Sequence, residues 1–384
     1  MTTTFEYGTC RLRDLQVPPV EEDAPDALNR AKFTKTLTLS DRPVKPGKRF
    51  WNSLQMRFGF THNIFRYFSH QEVFRRISQK APDDKVRYCL EHSDESDTPT
   101  LLAVSNPKAA VIERDELEVL LTRHRAKESS YHDGVVRSYH NPRHSSPFTI
   151  GGDGFESQYV IETPIDGFGR PALFLSLLRQ VCSNGAIALC PAFRSEINLG
   201  RGSNHPSFGL ERALEGFNNE EGFAALRQRF ESSTKSWASV HEVSRLGRTL
   251  STMLLHKEIS NRVGMPVKGG DGASEDAPVM YAFGRMAGDL TNIYGLANMD
   301  MLSAKRQRTL PTACRVYDLL NFASEMATHH AKAEGGRKLQ AYIGDLVSGE
   351  YDLEGTADQF ADWKDFFLDS SARAVTAKKK KVAR

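Results

Sequence analysis

The stretch Asp166–Gly202, DGFGRPALFLSLLRQVCSNGAIALCPAFRSEINLGRG, decides how the fold is read. Its apolar run Leu173–Leu178 leads through Arg179 into Val181-Cys182, breaks at Ser183-Asn184-Gly185, and resumes over Ala186–Cys190. Asn-Gly is the strongest short turn signal, because both residues tolerate positive φ. The pattern reads as a buried helix or strand, a reversal, and a strand ending at Arg201. Cys182 sits at that reversal, where a nucleophile could be poised. A nucleophilic thiolate needs a nearby base, and none is supplied by the flanking sequence. With Val181 and an apolar run beside it, Cys182 is read as a small core residue.

Upstream, Phe155–Pro164 alternates like a strand and Ile165–Arg170 is a glycine turn into the central stretch. Val86–Leu90 and Leu101–Val104 read as strands, and Arg114–His124 has helical spacing with Leu117, Leu120 and Leu121 on one side. Ser130–Ile150, rich in Tyr, His, Ser and Pro, reads as a hairpin or long loop. The segment FWNSLQMRFGFTHNIFRYF (Phe50–Phe68) is crowded with aromatic residues, and Ser69 is placed to cap a helix beginning SHQEVFRRI. Downstream, helices are expected over Glu220–Ala238, Val240–Val263 and Thr312–Ala333.

These elements predict an α+β fold: a mixed N-terminal body with an antiparallel sheet, then a largely helical C-terminal half. The expected organisation has four parts. Residues 1–49, punctuated by prolines, form an extended N-terminal arm. Residues 50–209 form the α+β core, and residues 210–345 a helical region with a flexible loop at 268–277. Residues 346–384 form a C-terminal segment with a disordered lysine-rich tail.

With 384 residues, 39% hydrophobic and 26% charged, the chain has the composition of a globular protein. No window approaches eighteen uninterrupted apolar residues, and the N-terminus lacks a secretory layout, so no membrane association is expected. Five scattered cysteines without a CxxC pair suit reduced thiols in a cytoplasm. Neither a P-loop nor a GxGxxG fingerprint nor GxSxG is present, so no catalytic residue and no cofactor is assigned. His124, His132, His140 and His144 could converge on a divalent ion if their loop folds back, but HExxH is absent and no metal ligand is assigned. Glu211/Glu215 fits an exposed helix face.

The net charge is +3, so the placement of cations matters more than their sum. Arg66, Tyr67, Phe68, His70, Phe74, Arg75 and Arg76 interleave cations with rings, the combination that single-stranded nucleic acid requires. Arg194, Arg201 and Arg212 flank the glycine turn Gly200–Gly202, where backbone amides could also meet phosphates. Lys305-Arg306-Gln307-Arg308 and Lys378–Lys381 add further charge.

The run Arg179-Gln180-Val181-Cys182-Ser183-Asn184-Gly185 resembles the R-x-V-C-x-N-G core of a phage- and plasmid-related protein family of unknown function, with members in cryptic enterobacterial prophages. Phe65–Ile77 and the helix Val316–His330 resemble that family's early aromatic segment and closing helix. The family's serine-histidine-aspartate-glycine stretch has its nearest counterpart here in Tyr131-His132-Asp133-Gly134. The resemblance covers roughly residues 50–335 and implies a mobile genetic element in a bacterial or phage-infected cytoplasm. The favoured expectation is a non-enzymatic nucleic-acid-binding protein of a phage or plasmid, acting in DNA replication or recombination on single-stranded DNA. Arg66, Tyr67, Arg75, Arg76, Arg194 and Arg201 are the expected contacts. The alternatives are a structural protein that assembles into homo-oligomers, and a metal-dependent or cysteine enzyme.

Overall fold

The computed structural model describes residues 3–18, 36–126, 128–179, 185–187, 193–199, 207–216, 219–260, 277–288, 307–308 and 310–348. Among them the chain runs through β1 (Thr3–Arg11), β2 (Leu15–Gln16), β3 (Leu37–Leu39), β4 (Arg42–Pro46), α1 (Lys48–Phe58), α2 (His70–Lys80), β5 (Lys85–Ser93), β6 (Ser96–Ser105), α3 (Arg114–Arg123), β7 (Glu128–His132) and β8 (Val135–His140). It continues through β9 (Phe148–Ile150), β10 (Asp153–Pro164), β11 (Ala172–Arg179), β12 (Gly185–Ile187), β13 (Arg194–Glu196), α4 (Ser207–Gly216), α5 (Glu220–Lys235), β14 (Trp237–Ser239), α6 (Val240–Leu255), α7 (Ala277–Ala287), β15 (Pro311–Arg315), α8 (Val316–Glu325) and α9 (Ala333–Ser348). This is an α+β protein, and from Ser207 onward helices dominate the described residues.

Two compact units divide the chain. One holds Met1–His140, Ile161–Leu173 and Glu196–Phe217; the other holds Asn141–Val160, Phe174–Ser195 and Asn218–Arg384. The division does not follow the expected boundaries at 49/50 and 209/210, because β10 and β11 each contribute residues to both units.

The first unit contains a six-stranded sheet in the order β1-β5-β6-β4-β3-β2. The described residues of the expected N-terminal arm are therefore integral strands, not a separate arm. β1 pairs antiparallel with β5 along its whole length, from Thr3↔Ser93 to Arg11↔Lys85. The sheet is also not purely antiparallel, since β4 runs parallel to β6 through Lys45↔Thr100 and Pro46↔Leu101. Helix α1 packs on β6, and its Phe50, Trp51 and Leu54 enter one core with Phe65, Val73 and Phe74. Trp51 meets the Phe65 ring edge-on at 5.6 Å, so most of the aromatic crowd is core. Ser69 caps α2 as expected, its hydroxyl accepting from the Glu72 amide at 3.2 Å.

In the second unit the central apolar run is a strand. Residues Phe174–Leu177 are buried, and β11 pairs antiparallel with β12 through Ser176↔Ile187 and Leu178↔Gly185. Residues 180–184, Cys182 among them, lie outside the described residues. So do Arg201, Lys305, Arg306, the expected loop 268–277 up to its last residue, Ala277, which opens α7, and the lysine-rich tail. Helices α8 and α9 pack on β12, while Phe230 of α5 meets Phe155 of β10.

Three expected helices are shorter than their periodicity suggests; the one expected over Val240–Val263 ends at Leu255, where His256 leaves the helical conformation. Helix α5 stops at Lys235, where Ser236 turns extended, and Trp237–Ser239 pairs with Pro311–Arg315 instead. Ser239 then caps α6, and Arg315 covers the Trp237 ring at 3.8 Å. The helix expected from Thr312 therefore begins at Val316, and it passes into a π-helical turn at Met326–His330.

Candidate functional site

Five of the six expected nucleic-acid contacts fall on described residues. Arg66 and Tyr67 close a short 3-10 turn ahead of α2, and Arg75 and Arg76 lie on the helix itself. Tyr67 is 74% exposed, which is unusual for so large a ring, and Arg66 is exposed with no ion pair among the described residues. Arg76 stacks over the Phe68 ring at 4.6 Å. Arg75 and Arg76 both reach Glu72: Arg75 Nη2 donates to Oε1 at 2.7 Å and Arg76 Nε to the same oxygen at 2.6 Å. Those guanidiniums, Arg76 foremost, hold the Glu72 carboxyl below the usual range. The pairs are exposed and weak, so an incoming phosphate can replace Glu72 at little cost. A groove of about 560 Å³ beside α2 is lined by Arg13, Arg75, Gln16, Gln71 and Gln79, among others. Arg194, in β13, is exposed in the second unit.

A buried charged centre in the first unit joins sequences far apart in the chain. The hairpin β7–β8 turns at Asp133 (φ 47) and Gly134 (φ 76), the primed conformation that Asp-Gly favours. Ile165 donates its amide to the Gly134 carbonyl at 2.9 Å, bringing Asp166 against the turn. A Cβ on Gly134 would stand 2.7 Å from Asp166 Oδ2, so only glycine fits without displacement. Arg49, from the basic KPGKR segment, forks onto the buried Asp166 carboxylate: Nε to Oδ2 at 2.6 Å and Nη2 to Oδ1 at 3.1 Å. The Phe168 amide adds a third bond to Oδ1, at 2.9 Å. Burial raises the Asp166 pKa from its ordinary value even though Arg49 opposes the shift. Arg137, itself buried, donates to Glu162 from Nε at 3.1 Å. Tyr131 accepts from the Gly134 amide at 3.0 Å, and burial pushes its phenol up. The Tyr131-His132-Asp133-Gly134 and Asp166–Gly169 turns are thus one structural unit locked by Arg49, which sequence spacing alone did not reveal.

The second unit has a smaller counterpart at Arg179. Its Nη2 lies 2.6 Å from Asp153 Oδ2, and Tyr317 of α8 donates to the same oxygen at 2.7 Å. Arg179, through its hydrogen bond, holds the Asp153 carboxyl below its ordinary range. Asp153 follows Gly151 (φ 60) and Gly152 (φ 89), and a Cβ on Gly151 would press on the Tyr317 ring at 3.2 Å. The arginine that opens the central motif is therefore an anchor between β10, β11 and α8.

The four histidines of the expected cluster do not converge. His140 is buried and bonded to Ser138 Oγ at 2.8 Å; burial, followed by the charge of His124, pushes it down to about 4. His132 ends β7, and His144 is exposed in the second unit. His124 instead meets Glu211 and Glu215 of α4, the pair expected to be an exposed helix face. Cys10 and Cys314 are buried, and burial pushes each thiol up to about 11, leaving no thiolate for chemistry at neutral pH. Cys89 is buried too, and its thiol is raised chiefly by burial. No helix among the described residues is long and apolar enough to cross a membrane. Compared with protein-family models, curated proteins and solved structures, the chain matches none.

Proposed function

We propose that the protein binds nucleic acid without catalysing a reaction on it, and that the surface around Tyr67 is its contact face. The observation that carries this reading is one exposed aromatic ring between an unpaired arginine and an arginine-capped ring: Arg66, Tyr67, then Phe68 under Arg76. An exposed ring offers a base a stacking platform, and flanking guanidiniums offer its phosphates a counter-charge. The Arg13/Arg75 groove lies beside the same helix and supplies neutral amides as additional donors. Stacking needs an unpaired base, so single-stranded DNA is the preferred form. The resemblance around Arg179–Gly185 supports a phage or plasmid context in a bacterial or phage-infected cytoplasm, and DNA replication or recombination is the setting proposed for the binding. Arg194 and Arg201 are proposed as secondary phosphate contacts.

Self-assembly is the second reading. Large exposed apolar side chains, including Met56, Val119, Phe208, Leu255 and Tyr281, support it. They are spread over five helices, as single exposed residues often are on monomers, and this favours the first reading. The test is a polarisation titration with single- and double-stranded oligonucleotides over a salt series. Binding that weakens steeply with salt and prefers the single strand is expected. Undetectable binding at low salt, or an affinity indifferent to salt, overturns the proposal.

A further inference from the structure

We propose that His124, Glu211 and Glu215 hold one divalent transition-metal cation, zinc foremost, between the C-terminus of α3 and the outer face of α4. Among the described residues this is the one group of three or more His, Cys, Asp or Glu side chains whose donor atoms all lie within 4.8 Å of one another. Helix α4 turns Leu210 and Leu214 inward, which places Glu211 and Glu215 together on the next row, one turn apart. His124 caps the end of α3, which packs on α4, and its imidazole enters the same space.

The second, independent observation is the imidazole nitrogen itself. His124 Nε2 is shielded from solvent and has no hydrogen-bond partner. It faces Glu211 Oε1 at 3.8 Å, beyond hydrogen-bond reach. Two ligands of one tetrahedral zinc, each about 2.0–2.2 Å from the ion, stand roughly 3.4 Å apart. The observed gap needs only a few tenths of an ångström of closure to become a coordination edge, and the remaining donor pairs, all within 4.8 Å, close by side-chain rotation. A shielded imidazole nitrogen without a partner is costly, and in the tautomer with its proton on Nδ1 the Nε2 lone pair can bind a cation.

The charges agree with this assignment. Two carboxylates match a divalent ion, and the imidazole favours zinc, iron or nickel over calcium, magnesium or manganese. Arg123 Nη1 touches Glu211 Oε1 at 2.5 Å, but its side chain is 59% exposed and the bond is readily exchanged. A carboxylate has lone pairs for both partners, so Arg123 can remain while the ion binds. Three protein ligands leave a fourth position for water.

The test uses the full chain stripped with chelator and titrated calorimetrically with Zn²⁺ alone. One tight equivalent is expected for the unmodified protein. His124→Ala and the double variant Glu211→Gln/Glu215→Gln should each weaken that equivalent at least tenfold, whereas His132→Ala should leave it unchanged. Melting curves give a second readout: Zn²⁺ should raise the transition of the unmodified protein and not that of Glu211→Gln, which preserves side-chain length and the helix. Absence of a tight equivalent, or one that survives both sets of ligand substitutions, overturns the proposal. This outcome is independent of nucleic-acid binding, which the titration does not involve.

Discussion

Arg49→Ala strands the Asp166 carboxylate in a buried site with only the Phe168 amide left of its three bonds. Removing one partner of a buried pair costs about 3–5 kcal/mol, and urea unfolding at pH 7 should show a loss of that size. The pH dependence follows from the direction of the shift. Asp166 binds its proton more tightly folded than unfolded, so its contribution is most favourable at low pH and is lost as pH rises through the raised folded value. The deficit of Arg49→Ala should therefore shrink on acidification, and a deficit constant with pH would argue against the buried charge as its cause. The histidines carry the opposite sign. Burial, with the charge of a neighbouring histidine, holds His70 and His140 near 4, against an ordinary value of 6.5. They stabilise the fold above about pH 6.5 and lose that contribution as pH falls towards 4, on the order of 1–3 kcal/mol each. His70→Phe, which keeps a ring against Trp51 and Phe65, should flatten the stability profile between pH 6.5 and 4.5. At this scale the sequence was legible where chemistry is local. Asp133-Gly134 announces its turn, whereas the Arg49–Asp166 pair spans 117 positions and leaves no local trace. The same applies to His124, whose partners come from a helix that begins more than eighty residues later.

Helix α2 depends on its cap. Ser69→Ala removes the bond to the Glu72 amide and should cost about 1 kcal/mol in unfolding experiments. Elements with a strong apolar period were readable: the helices at 70–80 and 114–123 and the strands around Val86–Leu90 and Leu101–Val104, while for β11 its burial was readable but not the choice of strand over helix. The N-terminal strands were not. β1 and β2 occupy the two edges of their sheet, where backbone pairing replaces hydrophobic alternation as the ordering force. Pro43 and Pro46 fall inside β4, and proline ordinarily argues against a strand. The short pair β14–β15 was hidden for a different reason. Each strand adjoins a genuine helix, so a long periodic window absorbs its few residues.

For the molecule as a whole, the α+β class was legible from the order of elements, whereas the two-unit division was not, because strands β10 and β11 contribute to both units. Of the rings in the expected nucleic-acid patch, Phe74 is core, packed with the neighbouring Phe50, Trp51 and Phe65. What survives on the surface is narrower, Tyr67 with its flanking arginines, and the account rests on it. The most direct measurement compares single-stranded DNA binding by the unmodified protein with Tyr67→Ala, by fluorescence polarisation at low salt. Because Tyr67 is exposed, the substitution should leave the melting temperature unchanged. Loss of one stacked base should weaken binding by about 1–3 kcal/mol, roughly five- to 150-fold. Equal affinity of the two proteins for single-stranded DNA would contradict the assignment of this surface.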